Sequence, residues 1–450
     1  MKFVLENVRV PAGGNTLRPA RMAVASGRVV AWDEECPVDW AREDGQGLVL
    51  LPGVIDPHTH FDEPGYTWRE DFAHGSRAAV AGGVTTIFDM PDTSVPPVTT
   101  RAALAEKVSA VLPHAMCDFG LWGGVSANAL EDPGWPRHMQ ELWEAGVIGF
   151  KTYALSGMAT FRHLSYKQFE EVVRQAAALG ALVGVHAEDA GIVEGERARL
   201  CGRTEMAAYA ASRPVRAEVE AIRQVGALAH ASGTRLHIVH LSSASGAEEV
   251  ARLRGLGADI SAETCPQYLT FSEQDFGRLG SLIKCAPPIR SVAERDRLWQ
   301  HVGGVISMFA TDHAPCPIEE KQTGNAFSDY AGIAGVELLL PWALTYGWRA
   351  GRLTLEQVVE LTSRSAARRF GLWPRKGSLL PGSDADFVLV NLEENFVVRG
   401  ENLHSKGRFS PFEGETFYGR VHATYVRGMA VFKRGTFCRP CGRFVVRGET

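Results

Sequence analysis

Short apolar runs of strand length recur along the chain, most of them ending in polar or charged residues. They are VLLPGVIDPHTH (49–60), GVTTIFDM (83–90), MCDFGLWGG (116–124), GVIGFKTYA (146–154), ALVGVHAED (181–189), RLHIVHLSS (235–243), ADISAETCP (258–266) and VISMFATDHAP (305–315). Between them lie segments with apolar residues at helical spacing, such as SYKQFEEVVRQAAALG (165–180) and VRAEVEAIRQVGALAHASG (215–233). Strand and helix alternating at this spacing predict a parallel sheet covered by helices. Eight such strands predict a closed (β/α)8 barrel, an α/β fold of the TIM type.

Two flanks break the rhythm. Residues 1–50 read as alternating strands punctuated by turn signals at PAGGN (11–15) and SGR (26–28). Residues 378–450 read the same way through ADFVLVNL and ATYVRGMAVFKRGTF. Together they predict one small β-sandwich made from both chain ends, with the barrel over 51–377 inserted between them. The phrase GSLLPGSDADFVLVN (377–391) marks the return from barrel to sandwich.

Composition narrows the function classes. A net charge of −5 and a pI near 6.3 provide no basic field for nucleic acid or anionic lipid. The opening MKFVLENVRV carries Glu6 and Arg9 and reads as a strand, not as a secretory signal. No apolar run approaches the ~18 residues of a membrane span. The expectation is a cytoplasmic protein without membrane or nucleic-acid partners. Of the eight cysteines, six are scattered singly, and Cys438 and Cys441 form an isolated CxxC. That pair reads as two free thiols, since a structural zinc site of this kind needs a second pair.

The residues at the strand ends change the picture most. His58 and His60 are two apart on an extended segment, so both side chains face one way. His186 ends LVGVH, His240 ends LHIVH, Asp312 follows ISMFAT, and Lys151 interrupts the apolar IGFKTY. Each alone has a structural explanation: a satisfied histidine, an N-capping aspartate, a snorkelling lysine. In a barrel, however, the C-terminal ends of all eight strands meet at one mouth, so these six side chains converge in space. A lysine among apolar neighbours has its charged form disfavoured. The neutral amine can add carbon dioxide, giving an anionic carbamate able to bridge two divalent metals. Imidazole and oxygen ligands suit zinc first, and also accept iron, cobalt or manganese. Two metals so held share a hydroxide and polarise a carbonyl, and Asp312 is placed to carry its proton to a leaving nitrogen.

The motifs LPGVIDPHTHFDEPG, GGVTTIFDMP, GFKTY, VHAED, HIVHLSS, AETCPQYL, KCAPPIR, FATDHAPC, GIAGVE and SPFEG together resemble the cyclic amidohydrolases, the group of allantoinases, dihydroorotases and hydantoinases/dihydropyrimidinases. The resemblance runs from residue 51 to about 414, and the flanking strands match as well. It implies a metal-dependent hydrolase of cyclic amides that works as a homo-oligomer, dimer or tetramer. It also implies His58 and His60 on one metal, His186 and His240 on the other, a carboxylated Lys151 between them, and Asp312 as ligand and proton shuttle. Some dihydropyrimidinase relatives have lost ligands and serve as interaction proteins; this chain keeps all six, which favours an enzyme.

Substrate choice follows from positions around this centre. Where dihydroorotases carry carboxylate-gripping residues, this chain has Asp62, Asp92, Cys316 and Ala286. Two carboxylates repel a substrate carboxylate, so dihydroorotate is disfavoured. Hydantoinases place an oxyanion-supporting Tyr five residues after the lysine, where this chain has Ser156. HFDEPG, YAASRPVRAEVEAIR (209–223), KCAPPIR, DHAPCP and GNAFSDYAGIAGVE (324–337) are most similar to the allantoinase subfamily. The expected substrate is thus a cyclic ureide, allantoin, opened to allantoate. Asp62 and Asp92 would accept its N–H donors, and the backbone near Ala286, Ala334 and Gly335, with Cys316 close by, would form the ring-binding edge. Departures from the subfamily pattern lie in the substrate loops: MPDT, WREDF (68–72) and TYALSGMATFRHLS.

Overall fold

Eight parallel strands close a barrel in the computed structural model, which describes residues 2–448. They are β1 (Val54–Thr59), β2 (Val84–Asp89), β3 (Asp118–Leu121, continued by Gly123–Gly124), β4 (Phe150–Tyr153), β5 (Leu182–His186), β6 (Arg235–Ile238), β7 (Ile260–Thr264) and β8 (Ile306–Phe309). Each pairs in parallel with the next. A parallel bridge between Thr59 and His313 closes the ring. β3 is interrupted at Trp122, whose buried indole donates to the Pro57 carbonyl at 3.1 Å.

Helix starts fix where the strand ends stop. After β5, Asp189 caps helix Ala190–Arg199, accepting from the Ile192 N–H. After β6, Ser243 caps helix Ala244–Gly255 through the Gly246 N–H. A helix whose first free N–H groups are satisfied by a side chain begins at a defined residue, so the loops holding His186 and His240 are short and anchored at both ends. Gly180 and Gly233, at φ 64° and 73°, end the helices that lead into β5 and β6; this left-handed turn suits glycine.

The chain ends build one nine-stranded mixed sheet. Strand Val49–Pro52 is its seam, pairing antiparallel with Phe387–Val397 and bridging in parallel to Lys2–Pro11. The sheet curls over its own core, where Phe3, Leu5, Met22, Phe387 and Tyr425 are buried together, and forms the sandwich expected from both flanks. The apolar run 49–60 is therefore two strands. It divides at Gly53, where a Cβ would lie 2.1 Å from the Thr85 hydroxyl, so no larger residue fits there.

A buried ion cluster ties barrel to sandwich. Lys376 Nζ contacts Asp118 at 2.5 Å, Asp386 at 2.6 Å and Asp384 at 3.0 Å, and Arg427 also pairs with Asp118. Burial opposes the Lys376 ammonium, but the three carboxylates outweigh it and hold its pKa above the ordinary value. Removing one member of a buried cluster strands the others. Lys376→Met is expected to destabilise the fold by about 3–5 kcal/mol, measured by denaturant unfolding; an unchanged midpoint would show that the cluster contributes nothing net.

Among the described residues no helix is long and apolar enough to cross a membrane. All eight cysteines are free, with Cys438 exposed and Cys441 half-buried.

Candidate metal centre

His58 and His60 leave the end of β1 with ring centroids 5.3 Å apart. Their Nε2 atoms lie 3.3 and 3.2 Å from one oxygen, Oδ1 of Asp312. The three ligand atoms fall within 4.8 Å of one another. Beyond β5 and β6, His186 Nδ1 and His240 Nε2 face each other at 3.0 Å, and the His240 ring is 5.3 Å from that of His58. Lys151, in β4, is fully buried, with Nζ 4.5 Å from the Tyr153 ring centroid. It is near enough to His58, His60, His186 and His240 to act electrostatically on each. All six predicted side chains are thus gathered at one mouth of the barrel.

Three of their polar atoms are not satisfied by protein. His58 Nε2, His240 Nδ1 and Lys151 Nζ are buried without a hydrogen-bond partner. Buried polar atoms are ordinarily paired, so three unpaired ones in a single cluster fit ligands waiting for cations. Burial lowers the pKa of His58, His186 and His240, leaving neutral imidazoles with lone pairs free for metal. Burial lowers Lys151 too, against the pull of Asp92, Asp312 and Glu263. For His60 burial is outweighed by Asp92 and Asp312, which raise it to about 9.

The backbone is held in an uncommon conformation at this mouth. His240 and Asp312 have φ of 39° and 50°, a region costly for residues with a Cβ. Buried hydrogen bonds maintain it. Asp56 accepts from the Thr311 N–H at 3.1 Å and also from its hydroxyl. Glu263 accepts from the His240 N–H at 3.2 Å.

Glu263, on β7, did not stand out as a site residue in the sequence. One oxygen meets His58 Nδ1 at 2.6 Å and the other meets His237 Nε2 at 3.0 Å. A proton on His58 Nδ1 directs the Nε2 lone pair toward Asp312, the usual way a carboxylate orients a metal-binding imidazole. Burial pushes the Glu263 carboxyl up to about 8; a cation on His58 favours its charged form. Glu188 plays a similar part, bonding His186 Nε2 at 2.8 Å while Arg213 Nε holds both of its oxygens at 3.1 Å. Its signal in the sequence is the carboxylate two residues after His186. Glu263→Gln is expected to weaken metal affinity about 10- to 100-fold, read by competition with a metal-sensitive dye; unaltered affinity would deny Glu263 this role.

A cavity of about 410 Å³ opens onto the cluster, bounded by His60, His186, His240 and Asp312 on one side. Of the expected substrate contacts, Asp92 and Ala286 line it. Asp92 is 1% exposed; Tyr153 donates to its Oδ2 at 3.0 Å, and Oδ1 has no partner. Asp62, Cys316, Ala334 and Gly335 do not line the cavity. Asp62 has φ 56° and is fully buried, which pushes its carboxyl up to about 8. Cys316 is buried, its thiol raised to about 11. The Gly335 N–H is spent on His313 Nδ1 at 3.1 Å. Ala314, Tyr330 and Ala331 form that wall instead. Ser156 does line it, but its hydroxyl donates to the Phe161 carbonyl at 2.7 Å.

The model of the Amidohydrolase family matches residues 49–431. The chain belongs to the amidohydrolase family. It is 43% identical to the allantoinase of Solibacter usitatus, over 94% of this chain and 92% of that one. It is 34% identical to an Escherichia coli allantoinase, over 97% and 96%. In three dimensions it superimposes on the L-hydantoinase of Arthrobacter aurescens with a TM-score of 0.94, at 33% identity, covering 99% of this chain and 100% of that one. The dihydropyrimidinase of Brevibacillus agri gives 0.92 at 28% identity, with 99% of each covered. This amidohydrolase is a metal-dependent enzyme acting on cyclic amides, and its family generally uses a binuclear metal centre.

Proposed function

We propose that this amidohydrolase opens allantoin to allantoate by hydrolysing a ring amide C–N bond. The observation that carries the proposal is the convergence of His58 and His60 on one Asp312 oxygen beside the facing pair His186 and His240, at the wall of the cavity. The naming of relatives 34–43% identical as allantoinases supports the choice of ring.

His58 and His60 would hold one divalent ion and His186 and His240 a second, zinc by preference, with Lys151 as its carbamate and Asp312 as oxygen ligands. When bound, the ions polarise the ring carbonyl and raise the acidity of water. Asp312 accepts the proton of the attacking water as its oxygen adds to the carbonyl carbon. As the C–N bond breaks, Asp312 returns that proton to the departing ring nitrogen, leaving a ureido acid. Glu263 and Glu188 keep His58 and His186 turned so that their remaining ring nitrogens face the centre. Asp92, pinned by Tyr153, offers its unpaired Oδ1 to a ring N–H. The resemblance to the family further supports a homo-oligomer, dimer or tetramer.

Hydantoin or dihydropyrimidine hydrolysis is the second reading, favoured by the hydantoinase structures this fold matches so closely. The engaged Ser156 hydroxyl, standing where hydantoinases resemble one another in a tyrosine, argues against it. Hydrolysis of allantoin, hydantoin, dihydrouracil and dihydroorotate by the zinc- or cobalt-loaded enzyme decides between them. Preferred turnover of allantoin is expected; preferred turnover of any other ring overturns the proposal.

A further inference from the structure

Part of the cavity wall is lined by cationic side chains. Arg213, Lys284 and Arg197 line it together with the rings of Tyr209 and Phe327. Arg213 is taken up by Glu188. Arg197, on helix Ala190–Arg199, is exposed, lies 5.7 Å from the Phe327 ring centroid, and has no carboxylate partner among the described residues. Lys284 is only 3% exposed. Its ammonium makes one hydrogen bond, to the Asp329 carbonyl, and sits 4.6 Å from the centroid of the Tyr209 ring.

An ammonium has three N–H donors, so two of those on Lys284 lack an acceptor in the wall of a substrate cavity. A buried cation short of acceptors is costly unless something supplies them. The backbone beneath is rigidly held: the Lys284 carbonyl accepts from Lys321 Nζ at 2.9 Å and from the Gly332 N–H at 3.0 Å. Burial, reinforced by the charge of Lys321, pushes the Lys284 amine down to about 8. The nearby Asp329 carboxylate opposes that shift but is outweighed. The metal-side wall already offers acceptors in Asp92 and Asp312, and this part offers donors.

We infer that Lys284, with Arg197 at the rim, forms a subsite that binds an oxygen acceptor on the substituent of the substrate ring. In allantoin that acceptor is the ureido carbonyl, so the inference rests on the proposed function. Ring opening is done at the metal end; the choice among ring substituents is made here. Hydantoins bearing a carbonyl or carboxylate on the side chain are accordingly favoured over bare or alkyl-substituted rings. The new carboxylate of the product has the same chemistry, and the test separates the two.

The experiment measures kcat/KM of the metal-loaded wild-type enzyme, Lys284→Met and Arg197→Ala on allantoin and on unsubstituted hydantoin. The ratio of the two substrates within each variant cancels differences in folding and metal content. A charged hydrogen bond lost from substrate binding lowers the ratio by about tenfold to a hundredfold in Lys284→Met. A smaller decrease is expected in Arg197→Ala, each through KM and not kcat. An unchanged ratio in both variants overturns the inference. So does an unchanged ratio accompanied by weaker inhibition by allantoate, which assigns the subsite to the product carboxylate alone. If the wild-type enzyme opens hydantoin but not allantoin, the proposed function fails. The subsite is then judged by the same ratio for 5-carboxymethylhydantoin over 5-propylhydantoin: a decrease in Lys284→Met upholds it, and no change overturns it.

Discussion

Asp312→Asn is expected to fold, to retain metal and to lose about a thousandfold or more in kcat, because in the proposed mechanism one carboxylate serves both as acceptor and as donor of the transferred proton. Its Oδ1 is within 3.3 Å of two imidazoles at the cavity wall, so a proton taken there is held where the ring is proposed to react. Asparagine has the same shape and tolerates the φ of 50° that this position demands. The hydrogen bonds that hold the turn run through Thr311 to Asp56, not through the side chain of Asp312. Loss of activity would therefore report chemistry. The measurement is ring-opening rate alongside elemental metal analysis; near wild-type kcat with a full metal complement would show that the proton travels by another group.

How much of this centre the sequence reveals depends on the distance over which each feature is decided. The six ligand-type residues are legible because each ends or interrupts an apolar strand, and barrel closure alone brings strand ends together. Glu263 is not, since its meaning lies in a pairing with His58 across 205 positions, and a glutamate within ISAET looks like any other polar strand residue. Asp62 lies off the cavity wall for a backbone reason. Two residues after His60 it is expected to face the substrate, but a left-handed backbone at that residue breaks the two-residue alternation on which the expectation depends. Gly335 also lies off the cavity wall, and its N–H is engaged by His313, 22 positions earlier. The division of the run 49–60 at Gly53 is set by contact with Thr85 on the neighbouring strand. Apolar periodicity cannot register such a contact. Lys284 opens the quoted motif KCAPPIR, yet only the cavity shows two of its donors unused.

Lys151→Met is expected to give the second large effect and separates the proposed metal-holding role of this residue from any role in folding. Lys151 is fully buried and its amine has no hydrogen-bond partner. In the unmodified protein it is a liability, a polar group removed from water without compensation. Methionine fills a similar volume without that penalty, so the variant is expected to melt at or above the temperature of the metal-free wild type. Burial disfavours the charged ammonium, the direction that addition of carbon dioxide requires, and without the amine the proposed carbamate cannot form. The variant is then expected to bind fewer than the full complement of divalent ions. Its activity should fall by about three orders of magnitude or more, as loss of several kcal/mol of metal-supplied stabilisation implies. The wild-type enzyme should load metal poorly in buffer freed of carbon dioxide and recover when bicarbonate is added, whereas Lys151→Met should not respond. Thermal melts and metal stoichiometry read these outcomes without any assay of turnover. A variant that binds two ions and answers to bicarbonate would remove Lys151 from the centre, and a metal-free variant that melts well below the metal-free wild type would mean that this buried amine supports the barrel after all.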